Sequence, residues 1–218
     1  MSNASAEHQA LHHGLTIVHT ALRRSLDTVV TTASRPVPEA DRAGFADFCE
    51  RTARFVRAHH DSEEEIFFPV FEKAGMADQI KTWRGDHTAL LDELDQLDAA
   101  IVAFKARGDA EKLVASATRV RDHLFPHLDA EEAALSLGVL QKAVTAEQAA
   151  ALATAASKHG QKHVGTRGLM LFLHALTAEE QRSHFGKMPW FVRKVLVPIW
   201  DRNWRPCAKY AHNATIAL

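Results

Sequence analysis

From His12 to Leu135, apolar residues return every three or four positions, with almost none of the two-residue alternation that a strand needs. The first such segment reads His12, Leu15, His19, Leu22, Leu26. It ends at "SRPVPEAD" (34–41), where Pro36 and Pro38 forbid further helix. A second runs Cys49, Ala53, Val56, His60, Glu64, Phe67, Phe71 and closes at "KAGMADQ", with Gly75 as a C-cap. The third (Ile80, Trp83, His87, Leu90, Leu94, Leu97, Ile101, Phe104) stops at "KARGDA". The fourth (Leu113, Ala117, Val120, His123, His127, Glu131, Leu135) stops at Gly138. Four long helices joined by short breaks must lie antiparallel to their neighbours. The predicted fold is all-α: an up-down four-helix bundle over residues 7–138.

Beyond Gly138 the signals shorten. Thr145 and Thr177 each precede a Gln or Glu by three residues, the capping-box sign of a helix start, and "GLMLFLHAL" gives an apolar helix between them. "PWFVRKVLVPIWDRNW" forms the last element, with a kink expected at Pro198. Residues 139–218 are therefore expected to be a helical extension packed on the bundle.

The apolar stripes carry groups that do not belong in a plain core. Histidine is over-used, at 14 of 218 residues. His60 and Glu64, and again His127 and Glu131, are four apart and share a helix face. The first and third helices each add one inward imidazole, His19 and His87. A buried, unpaired carboxylate costs several kcal/mol or is forced neutral, and a cation removes that penalty. Imidazoles with carboxylates form a mixed nitrogen and oxygen set suited to iron, and carboxylates can bridge two ions. The expected metal ligands are His19, His60, Glu64, His87, His127 and Glu131. His123 and His12 lie one and two turns from members of this set and are secondary candidates. His59 and Glu63, a parallel HxxxE one residue out of phase, are the other pair. Glu65, Asp129 and Glu132 are read as solvated.

"IVHTALRRSL", "HHDSEEEIFFPV", "GDHTALLDEL" and "HLDAEEAAL" resemble the four helices of hemerythrin-like (HHE cation-binding) domains, over about residues 7 to 138. That resemblance implies a non-haem di-iron centre: two iron ions with a bridging oxo or hydroxo. It also implies that Glu64 and Glu131 bridge, with His19 and His60 on one iron and His87 and His127 on the other. The oxygen-carrying members have a further histidine one turn from the third-helix ligand. Here Trp83 and Leu91 occupy those places, which argues against reversible oxygen transport and leaves His123 as the nearest substitute.

The expected function is to bind or sense O2, NO, peroxide, redox state or iron supply. The alternatives are a di-iron enzyme acting on peroxide or in nitric oxide chemistry, and metal storage or structural metal. Net charge is −1, so nothing global calls for nucleic acid or an anionic membrane. The expected partner is a small diatomic or peroxide ligand. Cys49 and Cys207 form no metal or haem motif, and Glu7, His8, His12 and His13 stand where a signal peptide needs a cation and an apolar run. A cytoplasmic location is expected. From Gln181 to Tyr210 the bases Arg182, Lys187, Arg193, Lys194, Arg202, Arg205 and Lys209 face Asp201 alone. The tryptophans there (Trp190, Trp200, Trp204) are read as packing across the bundle, with the charges solvated.

Overall fold

A computed structural model describes residues 5–186 and 188–218; Lys187, one of the bases above, lies outside them. The described residues form no strand. Helix α1 spans Ala6–Ala33, α2 Glu39–Ser62, α4 Ala77–Arg107 and α5 Ala110–Ala134. Between α2 and α4 the chain passes through a π turn (Glu63–Phe67), one α turn (α3, Phe68–Phe71) and a second π turn (Glu72–Met76). It reverses at Gly75, whose φ of 94° no L side chain adopts readily. Ser5 caps α1 through its hydroxyl, which accepts from His8 N. The break between α1 and α2 falls on Pro36 and Pro38, as the sequence requires. Pro126 does not break α5, which runs through it.

Polar pairs across the helices reveal their directions. Along α1, His19 then Arg23 meet Glu132 then Asp129 of α5, so one chain rises as the other falls. Glu50 and Arg57 of α2 meet Lys105 and Asp95 of α4. Arg119 and His127 of α5 meet Gln96 and Asp86 of α4. Each pair is antiparallel, the arrangement of an up-down bundle.

The core is divided along the bundle axis. One apolar cluster holds Leu22, Leu26, Val56, Leu90, Leu94, Leu124 and Leu128. The other holds Leu11, Leu15, Phe67, Phe68, Phe71, Trp83 and Leu135. His19 of α1, His59, His60 and Glu63 at the end of α2, His87 of α4, and His127 and Glu131 of α5 fall between the two, so they form one layer at one depth.

The C-terminal region departs from expectation in detail. The fourth bundle helix ends at Ala134, and Gly138 lies inside a short helix, α6 (Leu137–Ala143). Thr145 and Thr177 both close full capping boxes, opening α7 (Ala146–Ala175) and α8 (Ala178–Phe185). The apolar "GLMLFLHAL" is not a separate helix but the second half of α7, after a kink at Gly165 (φ 59°). Met170, Leu171 and Leu173 of α7 belong to the larger core cluster with α1 and α2. A π turn (Val192–Leu196) leads into α9 (Val197–Ala208), with Pro198 in its first turn. Trp204 is buried against Phe48 and beneath Arg51, but Trp190 is 66% exposed. His174 joins the end segment to α7, with Nδ1 2.7 Å from the Asn213 carbonyl oxygen and Nε2 2.7 Å from Asp201 Oδ1.

Gly108 ends α4 in the left-handed region (φ 75°), its N–H donating to the Phe104 carbonyl at 2.7 Å. An added Cβ would meet the far end of Arg42, which can move, so backbone strain dominates. Gly108→Ala should cost about 1–2 kcal/mol of folding stability, read by urea denaturation. An unchanged midpoint would show that the loop relaxes out of this conformation.

Candidate metal centre

The polar layer consists of five imidazoles and two carboxylates, each at most 7% exposed. His19 comes from α1, His59 and His60 from α2, Glu63 from the start of the π turn, His87 from α4, and His127 and Glu131 from α5. Their ligand-type atoms form two groups. One is His60, Glu63, His87 and His127; the other is His19, His59, Glu63 and Glu131. Within each group the atoms lie within 4.8 Å of one another.

The carboxylates straddle the groups. Glu63 Oε1 is 3.2 Å from His59 Nε2, while its Oε2 is 3.5 Å from His87 Nε2. Glu131 Oε2 is 3.7 Å from His19 Nε2, and its Oε1 is 3.4 Å from His127 Nε2. Each acid thus presents one oxygen to each side.

Glu64 is not in this layer. It is about one-third exposed and carries an ion pair with Arg84, which also pairs with Glu72. Helix geometry explains the difference. Residues advance about 100° each, so every step of four drifts about 40° round the axis. Two such steps, Val56 to His60 to Glu64, walk off the buried face. Taking His59 as zero, His60 lies at about 100°, Glu63 at about 40° and Glu64 at about 140°. Glu63 is therefore centred between two inward imidazoles and Glu64 is outside them. The π turn that begins at Glu63 then re-phases the helix, so that Phe67, Phe68 and Phe71 are all buried. The signal available in the sequence was angular position about the whole stripe, rather than any single spacing of four.

The other candidates fall as follows. His59 and Glu63, the out-of-phase pair, are in the layer. His123 is partly exposed and lies 3.3 Å from Glu93, and His12 is half-buried; neither is among the grouped residues. Adjacent residues His59 and His60 of α2 both turn inward, so this one helix brings two imidazoles to the layer. Glu132, read above as solvated, accepts a hydrogen bond from Arg23 and lies 2.9 Å from His19 Nδ1.

Outer carboxylates orient the rings. Nδ1 of His19, His87 and His127 sits 2.9, 2.9 and 3.2 Å from Glu132, Glu64 and Asp86. An ionised carboxylate only accepts, so each Nδ1 carries the hydrogen and each Nε2 offers its lone pair inward. Inside the layer, His19 Nε2, His59 Nε2, both nitrogens of His60, Glu63 Oε2 and both oxygens of Glu131 are buried without a hydrogen-bond partner. So many orphaned buried polar atoms at one point demand an outside partner. Their identities, lone pairs facing inward and carboxylates shared, suit cations.

The electrostatics agree. Burial, then the proximity of Glu131, pushes the Glu63 carboxyl far above the usual range. Burial raises Glu131 to about 8. Burial and then neighbouring imidazoles hold His59 and His60 well below the usual histidine value, and His127 at about 4. Glu132, hydrogen-bonded to His19 and then to Arg23, is held at about 2. Protonated acids and neutral imidazoles are how this layer survives without cations.

A cavity of about 330 Å³ lined by His60, Asp61, Glu64, Arg84, His87, Thr88 and Leu91 opens between α2 and α4 onto the layer. No helix among the described residues is long and apolar enough to cross a membrane. No curated protein and no solved structure matches the chain. The family model for the hemerythrin HHE cation binding domain matches residues 7–137. That span contains every residue of the buried layer, and the chain belongs to the hemerythrin HHE cation-binding family.

Proposed function

We propose that the layer holds two iron ions and that the protein binds or senses a small ligand there: O2, NO, peroxide, or the redox and supply state of iron itself. The carrying observation is the double sharing of Glu63 and Glu131, each with one oxygen toward each group. His19 and His59 would serve one ion and His60, His87 and His127 the other, with both carboxylates common to the two. The two groups offer unequal numbers of imidazoles, two beside Glu131 on one side and three on the other. Iron bound there supplies reversible electron transfer and sites for a diatomic or peroxide ligand.

The chain's own residues set the rest. Glu132, Glu64 and Asp86 hold the Nδ1 hydrogens of three rings, fixing their tautomers and angles. Leu15, Phe67, Phe68 and Trp83 on one side, and Leu90, Leu124 and Leu128 on the other, keep bulk water from the layer. The cavity beside His60 and His87 gives a small molecule its approach.

Turnover of peroxide or NO is the second reading. It is favoured by Arg84 and Glu64 at that cavity, a cation and a proton-accepting carboxylate beside the route in. The only tyrosine, Tyr210, donates to the Asp41 carbonyl and takes no part.

Elemental analysis of purified protein, with visible spectra before and after anaerobic reduction, tests the reading. About two irons per chain are expected, with ferric absorption that bleaches on reduction and returns in air. Peroxide and NO consumption by that sample separates sensing from turnover. Folded protein that takes up no iron from ferrous salts would leave a structural or storage metal as the better account.

A further inference from the structure

A second set of unused metal-binding groups lies outside the bundle layer, where α7 crosses the end of α2. His159 and His163 are one turn apart on α7, with rings stacked at 4.0 Å and 8°. Asp61 is in the last turn of α2, and one ligand atom from each of the three lies within 4.8 Å of the others. Glu65, one turn on from Asp61, brings Oε2 to 3.4 Å from His159 Nδ1. His159 is 93% buried by its 7% exposure, and Nε2 of both His159 and His163 is buried with no hydrogen-bond partner. Arg54 fixes this turn of α7 by donating to the His163 carbonyl at 2.8 Å.

Stacked face to face, neither imidazole can hydrogen-bond the other, and Nε2 of both is left unsatisfied. An HxxxH pair on one helix opposite Asp61 on another offers two nitrogens and one carboxylate to a single point, while Glu65 stands against the Nδ1 side of His159. Two imidazoles and a carboxylate, with a fourth position left to water, fit a four-coordinate divalent ion of the zinc type. We propose that Asp61, His159 and His163 form a separate zinc-class site joining α7 to α2, with Glu65 orienting the His159 ring through Nδ1. Both histidines lie beyond residue 137 and Asp61 lies within the matched span, so the site needs the extension as well as the matched domain. It also bears on the layer inside. Asp61 and Glu65 flank Glu63 in sequence, so an ion held there clamps the end of α2 that leads into Glu63 and the π turn that begins there.

The test is a zinc titration of the full chain, monitored by chelator competition, for the wild type and for H159A/H163A. The wild type should take up one zinc ion more than the double variant, whatever the bundle layer holds. Its iron content should not fall as that ion binds. X-ray absorption at the zinc edge should show two imidazoles on the ion. Asp61 is exposed, so Asp61→Asn leaves packing intact and should weaken the same zinc step. Equal zinc uptake by the wild type and the double variant overturns the proposal. So does zinc that enters only by displacing iron, or an Asp61→Asn variant that binds as the wild type does.

Discussion

Glu63→Gln should empty both metal positions, while Glu64→Gln should leave most of the iron in place. Glu63 belongs to both groups and turns one oxygen to each, so its loss would remove an oxygen from each proposed ion. An amide keeps the shape but cannot supply two anionic oxygens. Because burial already keeps the Glu63 carboxyl protonated in the metal-free chain, glutamine replaces one neutral group with another. The metal-free variant should therefore be at least as stable as the wild type. Glu64 only receives the His87 Nδ1 hydrogen, and such outer partners are worth roughly 10–100-fold in metal affinity. The readouts are iron per chain and thermal midpoint of the metal-free proteins. A Glu64→Gln protein without iron, beside a Glu63→Gln protein with a full complement, would reverse the assignment.

The second large effect is an inverted pH dependence in the metal-free protein. Glu131 rises from 4.5 to about 8 on folding. The folded state then keeps a proton that the unfolded state releases, so its contribution is complete below pH 4.5 and is lost as pH rises to 8. His127 moves the other way, from 6.5 to about 4. Its contribution is complete above pH 6.5 and is lost as pH falls to 4. Between 4.5 and 6.5 the two oppose each other. From 6.5 to 8 only the carboxyl changes, joined by Glu63, which is also raised. Each such group costs up to about 1.4 kcal/mol per pH unit in that window. The metal-free protein should thus lose stability from pH 6.5 to 8, where most proteins are near their plateau. Loading with iron should abolish the loss, since cations favour the ionised acids. Denaturant midpoints at several pH values, with and without iron, decide it. A flat metal-free profile to pH 8 would mean that water or relaxation already ionises the layer.

Much of this was legible in the residues. Steps of three and four from Leu15 to Leu135 specify helices, and short proline and glycine breaks specify antiparallel neighbours. His19 and His87 could be placed inside because each is the sole polar residue between apolar members of its stripe, and His127 and Glu131 because Val120 and Leu135 bracket them on theirs. The second helix resisted for a physical reason. It offers HHDSEEE, with polar groups all round, and spacing alone allows two HxxxE pairs. Only the rotation of α2 against its neighbours selects between them. That rotation is fixed by burying Phe55, Val56, Phe67, Phe68 and Phe71 together, which the π turn makes possible.

The extension shows the same division. Thr145 and Thr177 announced their helices because capping is local chemistry, satisfied within three residues. Nothing local announced that His159 and His163 would stand opposite Asp61 and Glu65, nearly a hundred residues earlier. The sequence by itself determined helix content, antiparallel order and a polar layer at one depth, because periodicity and caps act over one or two turns. Which carboxylate enters that layer, and which histidines meet across α2 and α7, only the tertiary structure decided. Those choices depend on how whole helices rotate to bury their apolar faces, and a spacing of four residues does not encode a rotation.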